Sequence, residues 1–275
     1  MASTPNPTPQ PMPARSEFDH VDTAAHPEAY VHFLLRNRAS GVSVRRQLSY
    51  DLLGAREGMR LLDVGCGIGD DVRALAALVG ASGRVVGLDN SETMLAKARG
   101  LSAEAPLAGE FVLGDLLALP FEDASFDGCH AERVLIHSAD PERALVEMAR
   151  VTRPGGVVVV TEPDMEALTY HASQHELVRR LALWHCDRVR HGRIGRSLPE
   201  LFAQAGLTDI QNLPAVAHSA RLSNYPIILA QHAAQHGVLS AEEAEGLIAE
   251  WRSRDAAGTF LEYGVFFTVA GRRAS

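Results

Sequence analysis

Acidic residues follow three successive apolar segments of the sequence, at the points where strands of a sheet would end. Asp63 lies at the end of the first segment, Asp89 ends the second, and Asp115 follows the third. Because ligands bind at the carboxyl ends of the strands in open α/β sheets, we expect these carboxylates to lie close together. One acid in such a place is more often a solvated turn residue, but three in succession indicate a ligand site.

A glycine loop directly follows the first of these acids. Gly65, Gly67 and Gly69 come after a predicted strand and before a predicted helix, which lets backbone N–H groups approach an anionic ligand group closely. The GxGxxG fingerprint of dinucleotide sites has two residues before its last glycine, whereas this loop has one. Asp63 would attract an ammonium group and repel a pyrophosphate. This spacing therefore disfavours a nicotinamide dinucleotide.

The other two acids suit the parts of a nucleoside. Asp89 stands twenty residues after Gly69, where a carboxylate can accept hydrogen bonds from both ribose hydroxyls. The place of Asp115 suits a hydrogen bond to an adenine amine, with Leu116 against the ring. The three acids thus suit an ammonium group, a ribose and an adenine.

The segments that position these residues alternate between strand-like and helical patterns. Asp140 followed by Pro141 predicts the start of the helix before the fifth strand. Alternating strands and helices predict an α/β fold with a parallel sheet covered on both faces. The first five strands are predicted at residues 60–64, 84–88, 110–113, 126–131 and 157–161.

Both ends of the chain depart from this alternation. Residues 1–15 carry five prolines among polar residues and predict a disordered tail. Residues 16–55 predict N-terminal helices, with a loop near 39–42. Beyond Pro163, helices are predicted at 174–191, 199–205, 224–236 and 241–252, and strands at 208–216 and 259–269, with Gly206 as a helix cap.

The ordered motifs closely resemble one known family, the class I S-adenosylmethionine (SAM)-dependent methyltransferases. Within that family, the sequence is similar to the ubiquinone/menaquinone-biosynthesis-like branch. The motifs span about residues 45–165 in the family's order. They are LLDVGCGIG at 61–69, VGLD at 86–89, GDLLALPF at 114–121 with SFD at 125–127, and ARVTRPGG at 149–156.

The resemblance implies a fold and a set of binding residues. The fold would be a Rossmann-like, seven-stranded, mostly parallel sheet with helices on both faces, N-terminal helices, and a helical lid over residues 165–200 within one domain, 16–275. The loop would hold the methionine portion of SAM with Asp63. Asp89 would hold the ribose, and Asp115 with Leu116 the adenine. The remaining cofactor candidates are Asn90, Met94, Gly114 and Glu132, of which Met94 fits helix core equally well.

Methyl transfer from a sulfonium requires mainly an aligned nucleophile and the exclusion of water. A base is needed only where the acceptor must lose a proton. His137 and Glu162 are the catalytic candidates, and Asp164 is a third possible base. The alternatives are that His137 positions its own loop, and that Glu162 and Asp164 belong to a capped turn.

Aromatic and histidine side chains in the predicted lid could line an acceptor pocket. Tyr170, His171, Trp184 and His185 are the candidates, although Trp184 also suits the core. His171 and His175 are four residues apart and could share a helix face, but no third ligand completes a metal site, so we predict none.

The composition of the chain limits the kinds of partner that the protein is expected to bind. The formal net charge of −8 disfavours nucleic acid, and no apolar run is long enough to span a membrane. The three cysteines contain no CxxC pair, and the N-terminus has no secretion signal, so we expect a cytoplasmic protein. One basic cluster, at positions 188, 190, 193 and 196, is either a solvated face or a lid that attracts an acidic substrate.

The sequence thus predicts a monomeric or homodimeric enzyme that methylates O, N or C of a small molecule such as a specialised metabolite. Two alternatives stay open. One is an enzyme that uses the sulfonium charge in a reaction other than methylation. The other is a SAM-binding protein without catalytic activity.

Overall fold

Seven strands and nine helices make up the part of the chain that the computed structural model describes, residues 17–38, 44–103, 107 and 109–275. A 3-10 segment, Glu17–Thr23, precedes them. The strands are β1 (Arg60–Val64), β2 (Arg84–Asp89), β3 (Glu110–Leu113), β4 (Phe126–Glu132), β5 (Thr152–Tyr170), β6 (Leu207–Ser219) and β7 (Glu262–Arg273). The helices are α1 (Pro27–Arg38), α2 (Val44–Leu53), α3 (Asp70–Val79), α4 (Glu92–Ser102), α5 (Pro141–Val151), α6 (His175–Arg188), α7 (Ile194–Gln204), α8 (Asn224–Gln235) and α9 (Ala241–Ala256).

The strands form a single sheet in the order β3-β2-β1-β4-β5-β7-β6. The first five strands are parallel, and β7 runs antiparallel to both of its neighbours. The predicted seven-stranded, mostly parallel Rossmann-like sheet is therefore confirmed. Its topology brings the carboxyl ends of β1, β2, β3 and β4 to one edge.

Both faces of the sheet are covered, because successive residues of a strand point to opposite sides. Leu61 packs with Tyr50 of α2 and Leu75 of α3 on one face. Leu62 packs with Leu145 of α5 and Phe202 of α7 on the other. Two helices precede the first strand, as predicted, while the predicted tail 1–15 and the loop 39–42 lie outside the described residues.

The fifth strand is much longer than the predicted 157–161. It continues to Tyr170 because β7 pairs with it far beyond the sheet edge, up to the pair Tyr170 and Glu262. Residues 165–170 of the predicted helical lid are therefore strand, and the lid becomes helical only at His175. The pairing partner lies about 90 residues away, so local periodicity could not reveal it.

Helix α7 begins at Ile194 instead of the predicted Pro199. Ile194, Leu198 and Phe202 are spaced four apart and are buried in the main core. Burial of this stripe outweighs the one backbone hydrogen bond that Pro199 cannot donate. Gly206 follows the helix with a φ of 76°, as predicted for a cap.

A second core lies beyond the sheet edge, among α6, α8 and α9. Trp251 is fully buried there and packs with Tyr170, Leu181 and Leu229. The helices after β6 thus join α6 in one helical unit, which forms a wall over the carboxyl edge of the sheet.

Candidate functional site

A cavity of about 2440 Å³ lies at the carboxyl edge of the parallel strands. It brings together most of the residues that the sequence predicted for a site. Asp63, Gly69 and Glu162 do not line it. The predicted residues on its wall are Gly65, Gly67, Asp89, Asn90, Met94, Gly114, Asp115, Leu116, Glu132 and His137.

The glycine loop has the backbone that only glycine adopts easily. Gly65, Gly67 and Gly69 have φ values of 67°, 51° and 77°. A Cβ on Gly65 would lie 2.5 Å from Val134, which follows β4, and a Cβ on Gly69 would lie 2.7 Å from Phe111. The glycines therefore let the chain pack closely here and leave backbone groups exposed to the cavity.

Asp89 is held in place by the glycine loop. Its Oδ2 accepts a hydrogen bond from the Gly67 N–H at 2.8 Å, and its Oδ1 accepts one from the Ser91 N–H at 3.0 Å. Burial raises the pKa of this carboxyl to about 6, although both hydrogen bonds favour the charged form. The carboxylate is thus oriented towards the cavity before any ligand binds.

Apolar side chains surround the third acid. Asp115 is exposed on the cavity wall, and its Oδ1 accepts a hydrogen bond from the Leu117 N–H at 2.8 Å. Met94 is buried with Ile68 beside the cavity, while Leu113 is 54% exposed on its wall. An apolar slot with a carboxylate at its rim suits an adenine ring. Sequence reasoning missed Leu113.

Glu132, at the end of β4, presents a buried carboxylate with one oxygen to spare. Its Oε1 lies 2.5 Å from Arg45 Nη1 and 3.6 Å from Arg46 Nε of α2. Burial raises the pKa of this carboxyl, but Arg45 and the nearby guanidinium groups lower it overall. Its Oε2 is buried and has no hydrogen-bond partner among the residues that the structure describes. That oxygen can accept a hydrogen bond from a cationic ligand group.

Asp63 lies beneath the cavity surface. Its Oδ1 is 2.8 Å from His130 Nδ1, and His130 Nε2 is 3.1 Å from Ser49 Oγ of α2. All three residues are buried. Burial raises the pKa of Asp63, whereas the Asp63 carboxylate holds the pKa of His130 above its usual value despite the burial of the ring. The structure therefore places Asp63 in a network that joins α2 to β1 and β4, behind the residues that line the cavity.

Glu162 is also away from the cavity wall. It is fully buried within β5, and its Oε1 accepts hydrogen bonds from the N–H groups of Val134 at 2.8 Å and Leu135 at 2.7 Å. Burial raises its pKa to about 8. These contacts hold the segment after β4, so they fit a positioning residue better than a base in contact with an acceptor. The sequence predicted that the fifth strand ends at residue 161, which would place Glu162 in a turn at the edge of the sheet.

His137 lies on that same segment and does reach the cavity. Its ring centroid is 5.1 Å from that of Phe18, which belongs to the N-terminal 3-10 segment. Of the two catalytic candidates, only His137 is placed where it can contact a bound molecule. Asp164 also lines the cavity, but Arg196 Nε donates to its Oδ2 at 2.6 Å.

The N-terminal segment closes one side of the cavity, which sequence reasoning missed. Asp22 accepts hydrogen bonds from Ser91 Oγ at 2.6 Å and from the N–H groups of Glu92 at 2.7 Å and Thr93 at 3.2 Å. These groups lie at the start of α4, so Asp22 caps that helix from a distant part of the chain. Nothing in the local sequence could have revealed a partner 69 residues away.

The helical unit and the last two strands form the other half of the cavity. Of the residues predicted for an acceptor pocket, Trp184 and His185 line the cavity, whereas Tyr170 and His171 do not. His171 precedes α6 and His175 is its first residue, so the two do not share a helix face as we had predicted. Among the described residues, no group of three or more side chains suits a metal ion.

The four arginines at positions 188, 190, 193 and 196 were predicted to form either a solvated face or part of a lid that attracts an acidic substrate, and the structure divides them between the two. Arg193 pairs with Glu166 at 2.7 Å and with Asp187 at 2.9 Å, outside the cavity. Arg188 and Arg190 line the cavity, and the Arg188 guanidinium lies 4.9 Å from the centre of the Trp184 ring. Two of the four arginines, Arg188 and Arg190, therefore face the cavity.

The residues present fit SAM. The spare oxygen of Glu132 can take the ammonium of its methionine part, Asp89 the ribose hydroxyls, and the slot beside Asp115 the adenine. Among the described helices, none is both long and apolar enough to cross a membrane.

Comparison with known proteins gives a consistent result. The family described as "Methyltransferase domain" matches residues 55–206. A 37.1 kDa protein in transposon TN4556 of Streptomyces fradiae is 36% identical over 233 residues, which cover 82% of this chain and 66% of that protein. The demethylmenaquinone methyltransferase of Lactococcus lactis is 42% identical over 176 residues, covering 58% of this chain and 69% of the enzyme.

The fold has a counterpart among solved structures. The YcgJ protein of Bacillus subtilis superimposes with a TM-score of 0.58 at 19% identity, covering 83% of this chain and 97% of that one. The chain spans between about half and two thirds of the length of the curated relatives that it matches.

Proposed function

This chain belongs to the S-adenosylmethionine-dependent methyltransferases, and we propose that it transfers the methyl group to an oxygen, nitrogen or carbon atom of a small molecule. A role in specialised metabolism is part of the same proposal. One relative is named as a methyltransferase of demethylmenaquinone, an apolar molecule with an aromatic ring. An acceptor of that general kind suits the apolar side chains that α8, β6 and β7 contribute to the cavity wall.

The observation that carries this proposal is the continuity of the cavity. Asp89 and the glycine loop lie at one end, and side chains of α6, α8 and β7 lie at the other. Its volume of about 2440 Å³ exceeds the roughly 300–1,000 Å³ typical of a pocket for one ligand. A cofactor and a sizeable acceptor can therefore occupy the cavity together.

SAM, when bound, supplies a methyl group already activated by the positive sulfur. The protein's part is then to bind, align and exclude water. Glu132 would fix the methionine part of the cofactor and Asp89 its ribose, and the segment with Phe18 and Asp22 would cover it. His137 would accept a proton where the acceptor must lose one, while Glu162 would hold the segment that carries His137.

A coupled assay tests the proposal. The protein is incubated with methyl-labelled SAM and a panel of hydroquinones, phenols, amines and carbon acids. S-adenosylhomocysteine (SAH) and labelled product are then measured together. We expect both in equal amounts for at least one acceptor, and about a hundredfold slower turnover for Asp89→Asn, because the ribose contact is weakened.

Asp123→Asn serves as the matched control, because Asp123 is an exposed acid that pairs with Arg150, and neither residue lines the cavity. Its turnover should equal that of the unaltered protein. Conversion of an acceptor without release of SAH would instead show that the protein catalyses a reaction other than methylation. Binding of SAM without conversion of any acceptor would contradict methyl transfer to these classes.

A further inference from the structure

The far end of the cavity holds a carboxylate that methyl transfer does not use. Glu262 is the first residue of β7, is half-buried, and lines the cavity. Burial raises the pKa of its carboxyl, and no cation offsets this. Within residues 17–38, 44–103 and 109–275, its carboxylate makes no hydrogen bond or ion pair. A partly buried charge without a partner is costly, so this position points to a ligand.

The strand register shows how far Glu262 lies from the cofactor residues. Glu132 pairs with Thr161, which pairs with Thr268 of β7. Glu262 precedes Thr268 by six residues, which is about 20 Å along an extended strand. A side chain at that distance contacts the end of an acceptor opposite to the methylated atom.

A hydrogen-bonded pair shares this end of the cavity. Tyr225 Oη lies 2.6 Å from His185 Nε2, and both residues line the cavity. Burial lowers the pKa of His185 to about 4, with a contribution from Arg188, so the ring is neutral at physiological pH. Burial also raises the pKa of Tyr225 above its usual range, and the nearby Glu262 carboxylate raises it further. The phenol therefore keeps its hydrogen, and the hydrogen bond runs either from the phenol to the ring or from the ring to the phenol oxygen.

In either case, Tyr225 and Glu262 both offer hydrogen-bond acceptors to a ligand at this place. The Tyr225 oxygen has lone pairs to offer, and the Glu262 carboxylate has both of its oxygens. Apolar side chains form part of the wall of this half of the cavity, which also carries Arg188 and Arg190. The apolar side chains include Val265, Phe266, Ala215, Val216, Ile227 and Ile228.

We propose that the acceptor is an elongated, largely apolar molecule with a protonated amine at the end opposite the methylated atom, and that Glu262 and Tyr225 bind this amine. An ammonium group has three donors and no acceptor, which complements a carboxylate beside a phenol oxygen. An alcohol of the same shape would leave the charge of Glu262 without a counterion. The inference rests on the proposed function, since it describes the acceptor half of the same cavity.

Binding of two matched probes tests this without knowledge of the natural acceptor. Octylamine and octan-1-ol are titrated calorimetrically into the protein saturated with SAH. We expect octylamine to bind about tenfold more tightly than octan-1-ol, because only the amine forms a charge-assisted hydrogen bond. Glu262→Gln should abolish this preference, whereas its affinity for SAH should be unchanged.

Glu200→Gln is the control, because it removes one exposed carboxylate of α7 and thus changes the net charge equally. It should keep the preference for the amine. Equal affinity for the two probes, failure of the amine to bind, or a preference that survives in Glu262→Gln would overturn the proposal. Failure of the unaltered protein to bind SAH would instead contradict the proposed function.

Discussion

Glu162 and His137 differ in what their positions allow: Glu162 lies within β5, whereas His137 lies on the segment after β4. The Glu162 carboxylate accepts two backbone N–H groups of the segment after β4, and His137 projects from that segment into the cavity. The type and rough position of both residues were evident from the sequence. Their orientation was not, because it depends on how far β5 continues beyond Thr161.

The buried Glu162 should make stability depend on pH. Its pKa is about 8 in the folded protein and about 4.5 when it is exposed. Between these values the folded state holds a proton that the unfolded state releases, so stability should fall as pH rises through this range. Glu162→Gln should reduce that fall by roughly 1–3 kcal/mol between about pH 5 and about pH 8.

Urea unfolding followed by circular dichroism at the two pH values measures this effect. Glu122→Gln, which changes an exposed acid in the turn before β4, should follow the pH dependence of the unaltered protein. Parallel pH profiles for the unaltered protein and Glu162→Gln would show that Glu162 is ionised in the folded state.

At the scale of elements, side chains of the N-terminal segment join it to the cofactor half of the cavity. Asp22 caps α4, and Val21 packs with Tyr30, Ile68 and Met94. We expect a cofactor bound between Asp89 and this segment to leave faster when the segment is less firmly attached. Release should therefore depend on the Asp22 cap.

Asp22→Ala should accelerate the release of SAH about fivefold, since a lost cap costs about 1 kcal/mol. Stopped-flow displacement of SAH by excess SAM measures the rate. Asp140→Ala is the matched control, because Asp140 caps α5 in the same manner but does not line the cavity. An equal change of release rate in both variants, or none in Asp22→Ala, would refute this role of the cap.

Elements with local signals were predicted well, and those determined by distant partners were not. Strands β1 to β4 and helix α5, with its Asp140 cap, follow from short-range patterns. The length of β5 depends on β7, and the start of α7 depends on the burial of Ile194 in the core. Tertiary contacts outweighed local propensity in both cases.

At the scale of the whole molecule, the two halves of the cavity differ in how far sequence could describe them. Motifs of the cofactor half lie at strand ends, so the parallel order of the sheet brings them together. The acceptor half combines His185, Tyr225 and Glu262 from three elements that are far apart in the chain. Their spacing in the sequence does not predict that they meet. The packing of the helical unit against β6 and β7 brings them together.

The central claim is that the cavity binds SAM through Asp89. Calorimetric titration with SAM and with SAH, comparing the unaltered protein with Asp89→Ala, tests it most directly. We predict binding of both ligands, weakened about a hundredfold in the variant by loss of two charge-assisted hydrogen bonds. Absence of binding by the folded, unaltered protein, or equal binding by Asp89→Ala, would contradict the claim.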